Sequence, residues 1–241
     1  MRTAIISDIH GNYEALKCVL SDINDQNIAK IFCLGDIIGY GPQPEETINL
    51  IKERKIISVM GNHELALWDD KAFNRMNNIA KESINIIKTL ITDNSLNYLH
   101  DLPCKLTQDK ILFIHGSPPD SITKYIVYHS DTEFESLFNT YNEQIAFVGH
   151  THLLIMYSYN GKTIKLQNLT NEKYKLEKGN RYIISVGSVG QPRDGNNNAK
   201  YVIYDSEEVS IEVRFVNYNI LKTAELIRKK GLPEFNARRL F

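Results

Sequence analysis

Cysteine is scarce and unpaired. Cys18, Cys33 and Cys104 are odd in number and far apart, with no CxxC pair, so neither a disulfide framework nor a thiolate zinc site is indicated. All three lie in or beside apolar stretches and are expected to pack there, and a reducing, cytoplasmic compartment fits their number. Long apolar runs are missing too. No stretch reaches about 18 uninterrupted apolar residues, and the opening Met1-Arg2-Thr3-Ala4-Ile5-Ile6-Ser7-Asp8 meets charge too early for the core of a signal peptide. Neither a membrane span nor a leader is therefore expected. Net charge is also nearly absent: 28 basic and 29 acidic residues leave −1. Such a chain has no global field to draw in nucleic acid or an anionic membrane, and any anion must be held locally. Repeats and low-complexity tracts are lacking, and Asn196-Asn197-Asn198 reads as a polar loop. With 42% hydrophobic and 24% charged residues the composition is that of a packed globular protein. All 241 residues are expected to form one domain.

The first half alternates two hydrophobic periods. Residues 3–7, 30–34 and 55–60 read as short buried strands. Residues 12–24 carry Ala15, Leu16, Val19, Leu20 and Ile23 at helical spacing, and residues 44–54 form a second helix opened by Pro44. A βαβαβ order implies parallel strands at the core. A helix over 79–91 follows, then strands at 110–114 and 144–148 around a helical stretch near 131–141. From about residue 153 the pattern turns strand-rich, with short runs at 155–159, 162–167, 181–186, 200–205 and 209–216 broken by turns such as Asn160-Gly161. A last helix over 220–230 stops at Gly231 with Pro233 beyond it. An α/β fold of two packed sheets with helices outside accounts for this order best.

Five of the seven histidines follow apolar strands. The clusters are Asp8-Ile9-His10-Gly11-Asn12, Gly35-Asp36, Gly61-Asn62-His63-Glu64, His115-Gly116 and Gly149-His150-Thr151-His152. On extended backbone an i, i+2 pair points to one side, so Asp8 with His10, and His150 with His152, are expected to share a ligand. Clusters at the C-terminal ends of parallel strands should meet in one crevice. Imidazole, carboxylate and amide oxygen without thiolate suit manganese, iron or zinc rather than calcium. The flanking glycines allow tight turns or close approach of a ligand. Asn12 reads as a helix cap, Tyr125 as partly buried packing, and His100 and His129 as surface or structural residues.

This ordered set, DxH, GD, GNH[DE], H and GHxH over residues 8–152, resembles the signature of the calcineurin-like metallophosphoesterases. The resemblance implies a four-layer α/β/β/α sandwich of two mixed sheets flanked by helices. It also implies a dinuclear centre, with Asp8, His10, Asp36 and His152 on one divalent ion and Asp36, Asn62, His115 and His150 on the other. Manganese is the expected ion, with iron, zinc or nickel as alternatives. A water bridging the ions would attack phosphorus, and His63, left without a metal, would protonate the leaving oxygen. The protein phosphatases of this superfamily carry an acid and an arginine soon after GD, where this chain has Gly39 and Tyr40. Losing a guanidinium fork is not a conservative change. This segment and Gly187-Ser188-Val189-Gly190-Gln191-Pro192-Arg193-Asp194-Gly195 resemble instead the small bacterial and archaeal phosphodiesterase-like branch. Arg193 then has two readings: a substitute phosphate contact, or a partner of Asp194 bracing the loop. The expected function is metal-dependent hydrolysis of a small phosphate ester, a diester first and a dinucleoside polyphosphate as the alternative. A phosphomonoesterase or protein phosphatase and a noncatalytic scaffold are the weaker rivals.

Overall fold

The central strands are apolar at successive positions because each buries both faces. In the computed structural model, which describes residues 1–127 and 130–241, the strands in chain order are β1 (Arg2–Ile6), β2 (Lys30–Cys33), β3 (Ile57–Ser58), β4 (Lys105–Gln108), β5 (Ile111–Ile114), β6 (Ile145–Val148), β7 (Leu154–Tyr159), β8 (Ile164–Asn168), β9 (Lys173–Lys175), β10 (Arg181–Val186), β11 (Ala199–Asp205) and β12 (Ser210–Val216). They form two six-stranded sheets, ordered β3-β2-β1-β11-β12-β9 and β4-β5-β6-β10-β7-β8. Parallel pairing is confined to β1, β2 and β3 in one sheet and β5, β6 and β10 in the other. Antiparallel strands flank both trios, so the sheets are mixed. The parallel trios hold the strands whose ends carry the histidine clusters.

Alternation along each strand divides side chains between the layers. In β1, Ile5 faces the second sheet while Ala4 and Ile6 face helices; in β6, Ile145 and Phe147 face inward while Ala146 and Val148 face outward. Phe32 and Phe113 stack across the two sheets at 4.0 Å. Helices α1 (Tyr13–Asn24), α2 (Pro44–Glu53), α3 (Asn62–Leu65), α4 (Asp70–Arg75), α5 (Asn78–Ile87) and α6 (Asp93–His100) belong to the first half of the chain, and α7 (Asp131–Phe138), α8 (Ile220–Lys229) and α9 (Glu234–Arg238) to the second. Buried residues of α1, α2, α5, α6, α8 and α9 cover the outer face of the first sheet, and Phe134 and Phe138 of α7 cover that of the second. The α/β/β/α sandwich is thereby realised. Among the described residues no helix is long and apolar enough to cross a membrane.

The sequence periodicity leaves out α3, α4, α6, α9 and the strands β4 and β9. Most are only one or two turns long or are half-exposed edge strands, too short to carry a hydrophobic period. Cys33 is buried and Cys18 partly buried, but Cys104 is exposed. The expectation that Cys104 packs is wrong because it stands in the turn leading into edge strand β4.

Candidate metal centre

The loops after β1, β2, β3, β5 and β6 meet at one end of the sandwich. The loop after β1 is joined to that after β2 by backbone bonds from Asp8 N to Gly35 O (3.1 Å), His10 N to Asp36 O (2.8 Å) and Gly11 N to Ile37 O (2.7 Å). Across the sheets, His150 N donates to Asp8 Oδ2 at 3.1 Å. Asp8 and His10 do share one site, but not through extended backbone. β1 ends at Ile6, and Asp8, His10, Asp36, His150 and His152 have φ of +53°, +51°, +50°, +66° and +60°. Asp, Asn and His tolerate this left-handed region better than most residues. The loops are tight turns that present their side chains inward.

Four imidazoles are fixed in one manner. His10 Nδ1 donates to Ile38 O (3.1 Å), His115 Nδ1 to Leu34 O (2.8 Å), His152 Nδ1 to Gln191 O (2.6 Å) and His150 Nε2 to Thr123 O (3.2 Å). Each bond sets the tautomer and leaves the other ring nitrogen with a lone pair for a cation. Those nitrogens converge with carboxylates. His152 Nε2 lies 3.2 Å from Asp8 Oδ1, and Asp36 Oδ2 lies 3.3 Å from His115 Nε2 and 3.6 Å from His10 Nε2. Asn62 Oδ1 is 3.1 Å from His115 Nε2. Two trios, Asp8-His10-His152 and Asp36-His115-His150, each bring their ligand atoms within 4.8 Å of one another.

Several features show that these residues suit cations. His10 Nε2 and His152 Nε2 face each other at 3.1 Å although both Nδ1 atoms are already spent on carbonyls, which sets two lone pairs opposed unless a positive species lies near. Asp8 Oδ1 is buried without a hydrogen-bond partner. Burial holds His10 and His152 well below the ordinary histidine value and lowers His150 to about 3, so these rings stay in the neutral, ligating form. His115 differs: burial works against its proton, but Asp36 beside it prevails and raises it to about 9. In the chain alone a proton thus serves His115 and Asp36, one that a metal must displace. Burial opposes the ionised form of Asp36, yet His115, His63 and His10 together keep its carboxyl well below the usual range. Asp8, with fewer such neighbours, is pushed up by burial to about 6.

His63 stands apart from the other four. A third trio, His10-Asp36-His63, is also close enough to share an ion, but His63 Nδ1 has no hydrogen-bond partner, and its Nε2 is 3.9 Å from Asp36 Oδ2. What holds its ring is packing: Tyr40 and His10 both lie edge-on to it, each with centroids 4.7 Å away. Gly39 must be glycine for this packing to exist. A Cβ there would stand 2.2 Å from His10 Nδ1 and 2.8 Å from His63 Nδ1, and φ is +152°. No acid can be accommodated at that position. Burial lowers His63 to about 4.

Around the centre, Asn12 caps α1 as expected, its Oδ1 accepting from Ala15 N at 3.2 Å. Arg193 lines the same pocket as Asp36, Asn62 and His63. Asp194 is not its partner: Asp194 pairs with the buried Lys200 at 2.8 Å, and Arg193 donates instead to Gln191 Oε1 at 3.2 Å. Tyr125 departs from its expected packing role. It is 55% exposed and stacks on His150 with centroids 3.8 Å apart, because the loop after β5 carries it over the centre. His100 is exposed, as expected; His129 lies outside the described residues. Sequence reasoning assigned nothing to Glu64, whose carboxylate accepts from Asp36 N and Gly61 N (2.8 Å each) and Ile38 N (3.0 Å). Its place beside His63 in the Gly-Asn-His-Glu run was the available signal.

The sandwich and its cluster of buried Asp and His side chains define a metal-dependent phosphoesterase, and the chain belongs to the calcineurin-like phosphoesterase family, whose model matches residues 1–154. Over its whole length it is similar to a metallophosphoesterase from Sphaerobacter thermophilus, with a TM-score of 0.86, 34% identity and coverage of 100% of this chain and 98% of that one. An uncharacterized protein of Methanocaldococcus jannaschii is 39% identical over 99% of this chain and 96% of its own. A symmetrical bis(5'-nucleosyl)-tetraphosphatase of Hamiltonella defensa is 25% identical over 78% of this chain and 70% of its own.

Proposed function

We propose that this chain is a dinuclear metal-dependent phosphodiesterase. Asp8, His10, Asp36 and His152 would hold one divalent ion and Asp36, Asn62, His115 and His150 the other, with Asp36 shared between them and manganese the expected metal. The observation that carries this reading is the unequal treatment of the five histidines. Four are pinned by backbone carbonyls and stand in trios of close ligand atoms with Asp8 or Asp36, whereas His63 has no such backbone bond. When bound, the ions supply positive charge for the phosphoryl oxygens and acidify a water.

The chain's own residues supply the rest. His63, neutral in the chain alone because burial lowers it to about 4, would take up a proton beside the bound phosphate and pass it to the departing oxygen. Tyr40 keeps its ring facing the pocket, and Arg193 brings a guanidinium to the side of Tyr40, 6.0 Å from its ring, where it faces a phosphoryl oxygen. Glu64 acts through others, holding the Asp36 and Gly61 turns together. The preference for a diester rests on the walls: Ala72, Met76 and Ala80 give part of the pocket an apolar lining, suited to the organic group a diester keeps on each side of phosphorus. A second reading, hydrolysis of a nucleotide phosphoanhydride, is favoured by a second arginine in the pocket, Arg75, and by the similarity to the tetraphosphatase.

The test is hydrolysis by metal-stripped protein resupplied with manganese, with an aryl phosphodiester, an aryl phosphomonoester and a dinucleoside polyphosphate compared side by side. Faster cleavage of the diester than the monoester is expected. Cleavage chiefly of the dinucleotide transfers the assignment to the second reading, and no cleavage of any with two ions bound overturns both.

A further inference from the structure

Asn236 is a polar side chain in a place where an apolar one would bury at less cost. It lies on α9, outside the residues that the family model matches, and is 1% exposed. Its neighbours Leu232, Ala237 and Leu240 join the core on the outer face of the first sheet. The amide nitrogen donates to two atoms, Tyr40 O at 3.2 Å and Ser83 Oγ at 2.9 Å. Both can only accept: Tyr40 O is a carbonyl, and the Ser83 hydroxyl gives its own proton to Ile79 O at 2.7 Å. One orientation of the amide satisfies them, with Nδ2 toward both, and it leaves Oδ1 buried without a partner.

What the amide holds is the turn that carries Tyr40. In that turn Ile38 N donates to Glu64 Oε1 at 3.0 Å and Gly41 N to His10 O at 2.6 Å, and Tyr40 O, between them, accepts from Asn236. The Tyr40 ring is buried and stands 4.7 Å from the rings of both His63 and His10. His10 has a second restraint in its bond to Ile38 O, whereas His63 Nδ1 has no hydrogen-bond partner. A displaced Tyr40 therefore leaves His10 tied and loosens His63.

We propose that Asn236 is a positioning residue: by fixing the Tyr40 carbonyl it sets the ring against which His63 is held. This rests on the proton-transfer role proposed for His63. The cost of a buried amide with an orphaned oxygen is then offset by order at the site, supplied by a helix 196 residues from Tyr40 in the chain.

The experiment is a double-mutant cycle on manganese-loaded protein with an aryl phosphodiester as substrate, using the wild type, Asn236→Ala, Tyr40→Leu and the pair. Asn236→Ala is expected to lower kcat about tenfold to a hundredfold, with KM and metal content close to wild type, the mark of a contact that matters in the transition state. In the Tyr40→Leu background, where no ring remains to be aimed, it should cost no further turnover. An equal loss in both backgrounds, or no loss in either, overturns the proposal. Ser83→Ala removes only the second anchor of the amide and should lower kcat in the same direction by less; it stands in if Asn236→Ala does not fold, and an unchanged kcat there overturns the proposal. Proton–carbon NMR of the metal-free chain gives a reading without turnover. Loss of the Asn236 or Ser83 contact should shift the His63 ring signals, which feel the Tyr40 ring, and leave those of His115 and His150 in place. Unmoved His63 signals, or equal movement of all three, overturn it. Failure of the hydrolase reading shows separately, as two bound ions without cleavage of any ester, and leaves the His63 signals readable.

Discussion

Replacing Gly39 with alanine adds one methyl group at the point where the site has least room. The new Cβ would sit 2.2 Å from His10 Nδ1, more than 1 Å inside ordinary van der Waals contact, and 2.8 Å from His63 Nδ1. Something must move, and the His10 ring is tied by its bond to Ile38 O. Overpacking a dense interior costs about 1–3 kcal/mol, and a non-glycine residue at φ +152° adds about 1–3 kcal/mol of backbone strain. Urea denaturation of the metal-free protein should therefore show a loss of about 2–6 kcal/mol. Displacing a reacting group by about 1 Å can cost on the order of a hundredfold in rate, so turnover of an aryl phosphodiester should fall by at least that much, with weaker binding of the ion proposed for His10. Gly39→Asp, with a larger side chain in the same space, should do the same or worse. A Gly39→Ala protein with stability within about 0.5 kcal/mol of wild type, unchanged metal content and unchanged turnover would refute the packing argument.

His63→Ala should keep both ions and lose about 10²–10⁴ in turnover, the usual worth of a proton donor, whereas Asp36→Asn should weaken both metal sites; equal metal loss in the two variants, by elemental analysis, would end the separation of roles. Asp22 lies outside the site: burial opposes its ionised form, but bonds from Arg214 and Tyr201 prevail and lower its carboxyl below 3.8. A lowered acid stabilises the fold above its unfolded value and loses that contribution as pH falls through the folded one. The stability gap between wild type and Asp22→Asn should thus be about 1–2 kcal/mol at neutral pH and vanish only below 3.8. Lys200→Met removes a buried ammonium that binds Asp194 Oδ1 (2.8 Å), Asn198 O (3.1 Å) and Asn196 O (2.5 Å). Faster limited proteolysis at 193–198 and a raised KM with little change in kcat are expected, and a loop as protease-resistant as wild type would show that Lys200 does not brace it.

The parts of the fold that were legible in the sequence are those with two or more repeats of a hydrophobic period. α1 places Ala15, Leu16, Val19, Leu20 and Ile23 in the core, and β6 is apolar throughout because both its faces are covered. α3 has no such period; its four residues are turned by the Glu64 carboxylate binding backbone N–H groups of two loops at once. At the site, residue type and position after a strand were enough to find the histidines and carboxylates. They were not enough for Tyr40, Arg75 or Lys200, whose places depend on which loop lands beside which. The Arg193 loop illustrates the limit. Adjacent Arg193 and Asp194 suggested a pair, yet Asp194 is taken by Lys200, six residues on and across the turn, leaving Arg193 toward the pocket.

The left-handed residues explain why glycines and short polar side chains crowd this end of the molecule. Asp8, His10, Asp36, His150 and His152 all hold positive φ, a conformation that costs L-residues on the order of 1 kcal/mol or more each. It persists because neighbouring backbone over-determines it: Asp8 O accepts from Gly190 N (2.9 Å) and from Ser188 Oγ (2.8 Å), and His10 O from Gly41 N (2.6 Å). Gly190 itself has no room for a side chain, since a Cβ would come within 1.8 Å of Ile9 O. Stability generated in the apolar strands is thus partly offset in the loops, where it holds ligands already turned inward. A centre prepared in this way would receive a cation without reordering these side chains. Substitutions that relax the loops should consequently lower metal affinity more than they lower the stability of the metal-free fold, while those in the strands should do the reverse.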